Sequence, residues 1–221
     1  RGMLGHTVRV IRALNKDGVA GGRRAVAFIV GRETKELDQH GVARAAIESC
    51  AESYSDGVVA PIFWYLLLGL PGLVAYKAVN TMDSMIGHKS ERYAAFGMIA
   101  ARLDDALNWL PARLAGLLIV CAALFVPRAR PLKAFSTMLR DAGKHVSPNA
   151  GWPEAASAGA LDLALIGPVR YAGGVTKAAW LGDGRAKATV TDMRRMLALF
   201  AIACFLASAL VALIALLLQA L

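Results

Sequence analysis

The sequence predicts an all-α, polytopic integral membrane protein with charged cytoplasmic helical segments. Three observations carry that prediction. Hydrophobic residues make up 57% of the 221 and charged residues only 19%, with a mean hydropathy of +0.48, which is too apolar to leave a solvated surface on a globule of this size. Three long stretches, 57–76, 106–127 and 196–221, are almost free of charge. Finally, 25 Lys and Arg stand against 16 Asp and Glu, a net charge of +9. In a membrane protein such an excess sits on cytoplasmic loops against anionic lipid. Membrane lipid is therefore the expected partner, and nucleic acid is not.

Residues 1–56 read as a charged helical segment in water. Val8, Ile11, Ala13 and Leu14 recur at roughly helical spacing, Asp17-Gly18 and Gly21-Gly22 break that run, and Ala25 to Val30 begins another that Gly31 ends. A further helix is expected from about Gly41 to Ser53, where Val42, Ala45, Ala46 and Ile47 share a side. No charged start followed by an apolar run opens the chain, so no signal peptide is expected.

Residues 57–127 hold two membrane segments and a motif-bearing loop. Gly57 to Tyr76 is 20 uncharged residues, about 30 Å of helix, enough to span once. Pro61, Gly69, Pro71 and Gly72 interrupt it, however, and Leu70-Pro71-Gly72 suits a broken or re-entrant helix equally well. A full crossing would put residues 80–105 on the far side from the basic linker. A break at 70–72 returns them to the inner face and is the preferred reading. In 106–127 only Arg113 interrupts the apolar run, with Pro111 kinking its entry. The linker 128–195 carries 11 Lys and Arg against 5 Asp and Glu, so it is cytoplasmic by the positive-inside rule. Within it a helix is expected from about Leu132 to Ala142, and another opens with Pro153 and runs through Leu165. Gly167 to Arg185 reads as irregular. Residues 196–221 are 26 uncharged residues, mostly Ala and Leu, about 39 Å of helix that spans with tilt to spare.

Cys50, Cys121 and Cys204 are odd in number and far apart, and the four histidines lack metal spacing. Neither a disulfide nor a zinc site is expected. Chemistry concentrates elsewhere. Glu48, Glu52 and Asp56 are spaced by four, so the first two like charges stack on one helix face and the third falls at or just past its end, directly before an apolar segment. A solvated acidic face is the bland reading, but at that place the acids call for a cation or a basic partner. Asn80, Asp83, His88, Lys89, Glu91 and Arg92 crowd a short stretch between two apolar segments, more densely than a plain connector requires. Arg102, Asp104, Asp105 and Asn108 form R-x-D-D-x-x-N on one helix. Its oxygen ligands suit Mg²⁺, which keeps waters and bridges to phosphate; the alternative is a structural Arg102–Asp105 pair. Gly167-Pro-Val-Arg-Tyr could bring backbone N–H groups and Arg170 onto an anion, although it fits no nucleotide-binding fingerprint.

Several strings together resemble one family: Ile29-Val-Gly-Arg-Glu-Thr, Glu48-Ser-Cys-Ala-Glu-Ser-Tyr-Ser-Asp-Gly-Val-Val-Ala-Pro, Ala78-Val-Asn-Thr-Met-Asp-Ser-Met-Ile-Gly-His-Lys, Arg102-Leu-Asp-Asp-Ala-Leu-Asn-Trp-Leu-Pro-Ala-Arg, Ser147-Pro-Asn-Ala-Gly-Trp-Pro and Gly167-Pro-Val-Arg-Tyr. In this order, over about Ile29 to Gly174, they resemble the adenosylcobinamide-phosphate synthases of cobalamin biosynthesis. The resemblance implies a multi-pass protein of the bacterial inner membrane that joins aminopropanol, or its phosphate, to a free carboxylate of adenosylcobyric acid. It further implies ATP, through an acyl phosphate attacked by the amine, and Mg²⁺. Other membrane-bound cobalamin enzymes are possible partners.

By the same resemblance Glu48, Glu52, Asp56, His88 and Lys89 are catalytic candidates and Asp104 and Asp105 metal candidates. Asn80, Asp83, Arg92, Arg102, Asn108, Asn149, Arg170 and Tyr171 are candidates for substrate or phosphate. The chain departs from the family at Ser53 and Tyr54, where an Asn and a short residue are usual, and at Glu33, where Asp is usual. It is also expected to lack the family's N-terminal membrane helices. The competing function is a non-catalytic membrane sensor or scaffold of a related branch; a transporter would need more spans.

Overall fold

The computed structural model describes residues 2–86, 94–171, 174–176 and 178–220. The first helix, α1 (Met3–Val26), is folded over at Gly18, whose φ of 62° is left-handed. A Cβ on Gly22 would lie 2.5 Å from Leu14 Cδ2, although residues eight apart in a straight helix stand about 12 Å apart along its axis. The chain therefore reverses at Gly18. Gly21-Gly22, expected to end a helix, instead lies inside the second arm, where the missing side chains let the two arms touch. The expected run to Gly31 stops at Val26, and Ile29 bonds back to Val26 in a turn.

Helix α2 (Gln39–Tyr54) starts on Asp38, whose carboxylate accepts the Gly41 N–H at 2.6 Å. It buries Val42, Ala45, Ala46, Ile47 and Cys50. It then passes without interruption through a π-helical turn, Ser55–Val59, into α3 (Ala60–Ile86). Helix α3 is itself reversed at Gly69, with φ 65° and ψ −153°. A Cβ on Gly72 would lie 2.5 Å from the Trp64 carbonyl oxygen. Tyr76 Oη donates to the Asp56 carbonyl at 3.1 Å, whereas twenty residues of straight helix would hold those positions about 30 Å apart. The break read from Leu70-Pro71-Gly72 is therefore a hairpin. Its tip presents Leu67, Leu68 and Leu70 about 60% exposed, and its uncharged first arm, 57–69, falls short of the roughly 20 residues a crossing needs.

Helix α4 (Ala94–Ala122) begins earlier than the apolar run that announced it and continues through Pro111. Arg113, the one charge in that run, lies between two indoles, 4.0 Å from the Trp109 ring centroid and 4.5 Å from that of Trp152. Cation–π contact is one way an apolar segment tolerates a guanidinium. Helices α5 (Pro131–Asp141) and α6 (Gly151–Leu161) follow, and the last is α7 (Val190–Gln219), opened by a Thr189/Asp192 capping box. Helix α6 stops at Leu161, short of the expected Leu165, and from Leu165 through the stretch expected to be irregular the described residues hold four short strands. Strand β1 (Leu165–Ile166) pairs antiparallel with β4 (Trp180–Leu181), and β2 (Val169–Tyr171) with β3 (Gly174–Thr176).

The core surrounds α2. Val10 and Ile11 of α1, Ile47 and Tyr54 of α2, Ile119 of α4, Met138 of α5, Leu161 of α6 and Met196 and Leu199 of α7 form one buried cluster. Tyr54 Oη donates to the Ala203 carbonyl at 2.9 Å and ties α2 to α7. Asp141, 1% exposed, pairs with Arg140 and Lys144 and accepts the Gly182 N–H, joining α5 to the end of β4. Its hydrogen bond from Arg140, outweighing burial, holds its carboxyl well below the usual range.

Among the described residues three helical stretches are long and apolar enough to cross a membrane: Gln39–Ile86, Gly97–Ala122 and Val190–Gln219. The first carries the reversal at Gly69. The far end of α7 exposes Leu213, Leu216, Leu217 and Leu218 by 53–68%, an apolar surface that belongs in lipid.

Candidate functional site

Glu48 resolves the question its spacing poses. Arg32 donates to Glu48 Oε2 at 2.6 Å, and the Ile166 N–H donates to Oε1 at 2.8 Å. The pair is largely shielded, 12% and 7% exposed. Arg32 lies in one of the strings that carried the resemblance, yet no spacing rule connects it to an acid sixteen residues on. A buried carboxylate before an apolar segment was the available signal, since it demands a cation. The backbone donor expected of the Gly167 loop for an outside anion is thus given, one residue earlier, to the protein's own carboxylate.

With Glu48 committed, Glu52 and Asp56 are the acids of that row left open to a ligand. Glu52 is exposed and Asp56 half-buried. Asp56 sits in the π-helical turn, a local widening that recurs at functional sites. It lies within electrostatic range of Glu52, Asp104 and Lys77, and Glu52 within range of Asp104, Glu48 and Asp83. These acids come from α2, the π turn, the second arm of α3 and α4, so their convergence depends on the hairpin.

The hairpin's second arm meets α4 through amides. Asn80 Nδ2 donates to Asp104 Oδ1 at 3.2 Å, Asn108 Nδ2 donates to Asp104 Oδ2 at 2.9 Å, and Tyr76 Oη shares its one proton between Asn108 Oδ1 at 3.0 Å and the Asp56 carbonyl. Lys77 Nζ donates to Asn80 Oδ1 at 2.9 Å. Both oxygens of buried Asp104 are held in place while lone pairs remain free. Asp105 is fixed separately, its carbonyl and Oδ1 accepting from Asn149 Nδ2 at 2.8 and 3.3 Å. The alternative, a structural Arg102–Asp105 pair, does not form: Arg102 is exposed and, among the described residues, meets no carboxylate. Arg170 and Tyr171 lie on β2. His88, Lys89 and Arg92 lie outside the described residues.

Two residues that sequence reasoning passed over, Glu154 and His145, flank this acidic set. Glu154, 3% exposed, directly follows the Ser147–Pro153 string in a helix of small residues, where a lone Glu reads as a solvated position. Burial pushes its carboxyl well above the usual range, Glu52, Glu48 and Asp56 push the same way, and Arg32 opposes them. His145 Nε2 stands 3.7 Å from Glu154 Oε2. Its Nδ1 accepts the Ser147 N–H at 2.9 Å, and burial lowers its pKa. Chemically, the ensemble is an oxygen-rich, anionic site with few fixed cations, suited to a ligand that brings positive charge. Among the described residues no three carboxylates, histidines or cysteines stand close enough to hold a metal ion by themselves.

A family model described as CobD/Cbib protein matches residues 1–200. Curated proteins named cobalamin biosynthesis protein CobD are similar over most of the chain. That of a Sinorhizobium species is 54% identical over 206 residues, covering 92% of this chain and 64% of its own length. That of Brucella suis biovar 1 is 52% identical over 202 residues, covering 90% and 62%. That of Rhodobacter capsulatus is 50% identical over 200 residues, covering 90% and 62%. The chain thus spans somewhat under two thirds of the length of these relatives. No solved structure matches.

Proposed function

The chain belongs to the CobD/Cbib protein family, and from that premise we propose that it acts in cobalamin biosynthesis as part of a multi-pass inner-membrane ligase. Its reaction joins the amine of aminopropanol, or of its phosphate, to a carboxylate of adenosylcobyric acid. The observation that carries this reading is the hairpin at Gly69, because it sets Asp56, Asn80 and Tyr76 against Asp104 and Asn108. Motifs spread over more than fifty residues thereby form one polar site. A scaffold has no need of acids gathered in this way.

ATP would supply the activation that makes a carboxylate acylating, and Mg²⁺ would neutralise charge on its phosphates. The residues fit such a metal: every donor is an oxygen, and Asp104 is orientated by two amide N–H groups. Mg²⁺ is commonly held by one or two carboxylates plus phosphate and water rather than by a full protein cage. Asp104 would hold it, with Asp105 beside it on α4. Asn80 and Asn108 keep Asp104 in position, much as outer groups steady ligands in metal sites. Glu52 and Asp56, both within electrostatic range of Asp104, can accept hydrogen bonds, or a proton, from an ammonium group.

The test is amide formation by the purified full-length protein across a Mg²⁺ titration. Asp104→Asn and Asp105→Asn keep size and remove charge; each should lower activity on the order of 10- to 100-fold and shift the Mg²⁺ dependence, with an unchanged detergent melting profile. Full activity and an unshifted Mg²⁺ curve in both variants would remove these aspartates from the site.

A further inference from the structure

Glu154 is deeply buried beside the acidic set, and the reading above leaves it without a role. Its Oε2 is enclosed and, among the described residues, accepts no hydrogen bond. His145 Nε2, at 3.7 Å, is beyond hydrogen-bond reach. Polar atoms so enclosed are nearly always satisfied, and one that is not calls for an absent partner. The carboxylates that act on Glu154 are Glu52, Glu48 and Asp56, and the cation that acts on it is Arg32. Arg32 gives its Nη2 to Glu48 and keeps one buried donor, Nε, without a partner. Acceptors on this side of the site therefore outnumber donors, and what completes it must bring both N–H or O–H groups and positive charge.

A bare metal ion does not answer that description, since it brings charge without N–H or O–H groups. A primary ammonium does. It presents three diverging donors and one charge. We propose that Glu154 receives the ammonium group of the amine substrate, with Glu52 and Asp56 as the other acceptors. The assignment rests on the ligase reading for the identity of the amine. The charge of the arriving ammonium also favours the ionised form of a carboxyl that burial otherwise disfavours.

The experiment measures KM for aminopropanol and for adenosylcobyric acid separately, using full-length protein in detergent, with isopropylamine as a competitor that carries the ammonium and lacks the hydroxyl. Glu154→Gln should raise KM for aminopropanol about tenfold or more, as expected for loss of a charge-assisted hydrogen bond. It should leave KM for the corrinoid within about twofold, and isopropylamine should compete in the parent and not in the variant. Glu154→Asp should recover part of the loss. An unchanged KM for aminopropanol, or equal competition in both proteins, overturns the proposal. If Glu154→Gln loses its melting transition, Glu52→Gln, at an exposed position, carries the same test with the same two outcomes. If the parent makes no amide the ligase reading fails, while isopropylamine titrated calorimetrically into parent and variant still decides the role of Glu154.

Discussion

Arg32 and Glu48 show how a site motif can be given to support. Both oxygens of Glu48 are taken, one by a guanidinium and one by the Ile166 N–H, so this acid anchors the loop after α6 to α2. Arg32→Met leaves that buried carboxylate without its cation. Removing one partner of a buried pair costs about 3–5 kcal/mol, which should lower the detergent melting temperature by several degrees. The double variant Arg32→Met/Glu48→Leu should melt above Arg32→Met alone, because it also removes the stranded charge. Equal melting of Arg32→Met and the parent would mean that the pair is not shielded as described. The four-residue spacing of Glu48, Glu52 and Asp56 made a common face legible, and their place before an apolar run made a cation necessary. Which cation answers was not legible, because Arg32 arrives from a loop by tertiary folding. Glu154 was hidden for the related reason that local spacing says nothing about burial.

The helical hairpin at Gly69 is where local chemistry sets the architecture. Leu70-Pro71-Gly72 marked a break, since Pro cannot continue the hydrogen-bond ladder. The reversal needs two further properties, both supplied by glycine. Gly69 adopts φ 65° and ψ −153°, a region almost closed to residues with a Cβ, and Gly72 lets the arms meet at the Trp64 carbonyl. Gly69→Ala should therefore cost about 1–3 kcal/mol of backbone strain and reduce amide formation by opening the Asp56 to Asn80 side of the site. Gly143→Ala, at a glycine with nothing within 4 Å of the added Cβ and no left-handed φ, should leave melting and activity unchanged. Matching behaviour of the two variants would contradict a strained turn at Gly69. The paired strands between Leu165 and Leu181 were not legible, because each is two or three residues long, too short for alternation to register. Gly21-Gly22 misled for a different reason: glycine pairs mark close approach as well as chain breaks.

For the molecule as a whole, composition and the three apolar runs were enough to identify a helical membrane protein, because lipid leaves helices as the way to satisfy backbone groups in such runs. How the runs pass through the bilayer was open; in the reading we propose the hairpin's apolar tip enters lipid and its two arms return to one face. The proposed acidic site would then share a face with the basic linker, and the ATP proposed for it would be drawn from that side. The direct test uses single cysteines in a Cys-free full-length background. Met85→Cys lies near the end of the hairpin's second arm and Val146→Cys in the loop between α5 and α6; these positions are 76% and 85% exposed. An impermeant thiol reagent should label both in inside-out vesicles and neither in right-side-out vesicles. Labelling of Met85→Cys from the outer face while Val146→Cys labels from the inner face would mean that 57–76 crosses the membrane, and would contradict the site described here.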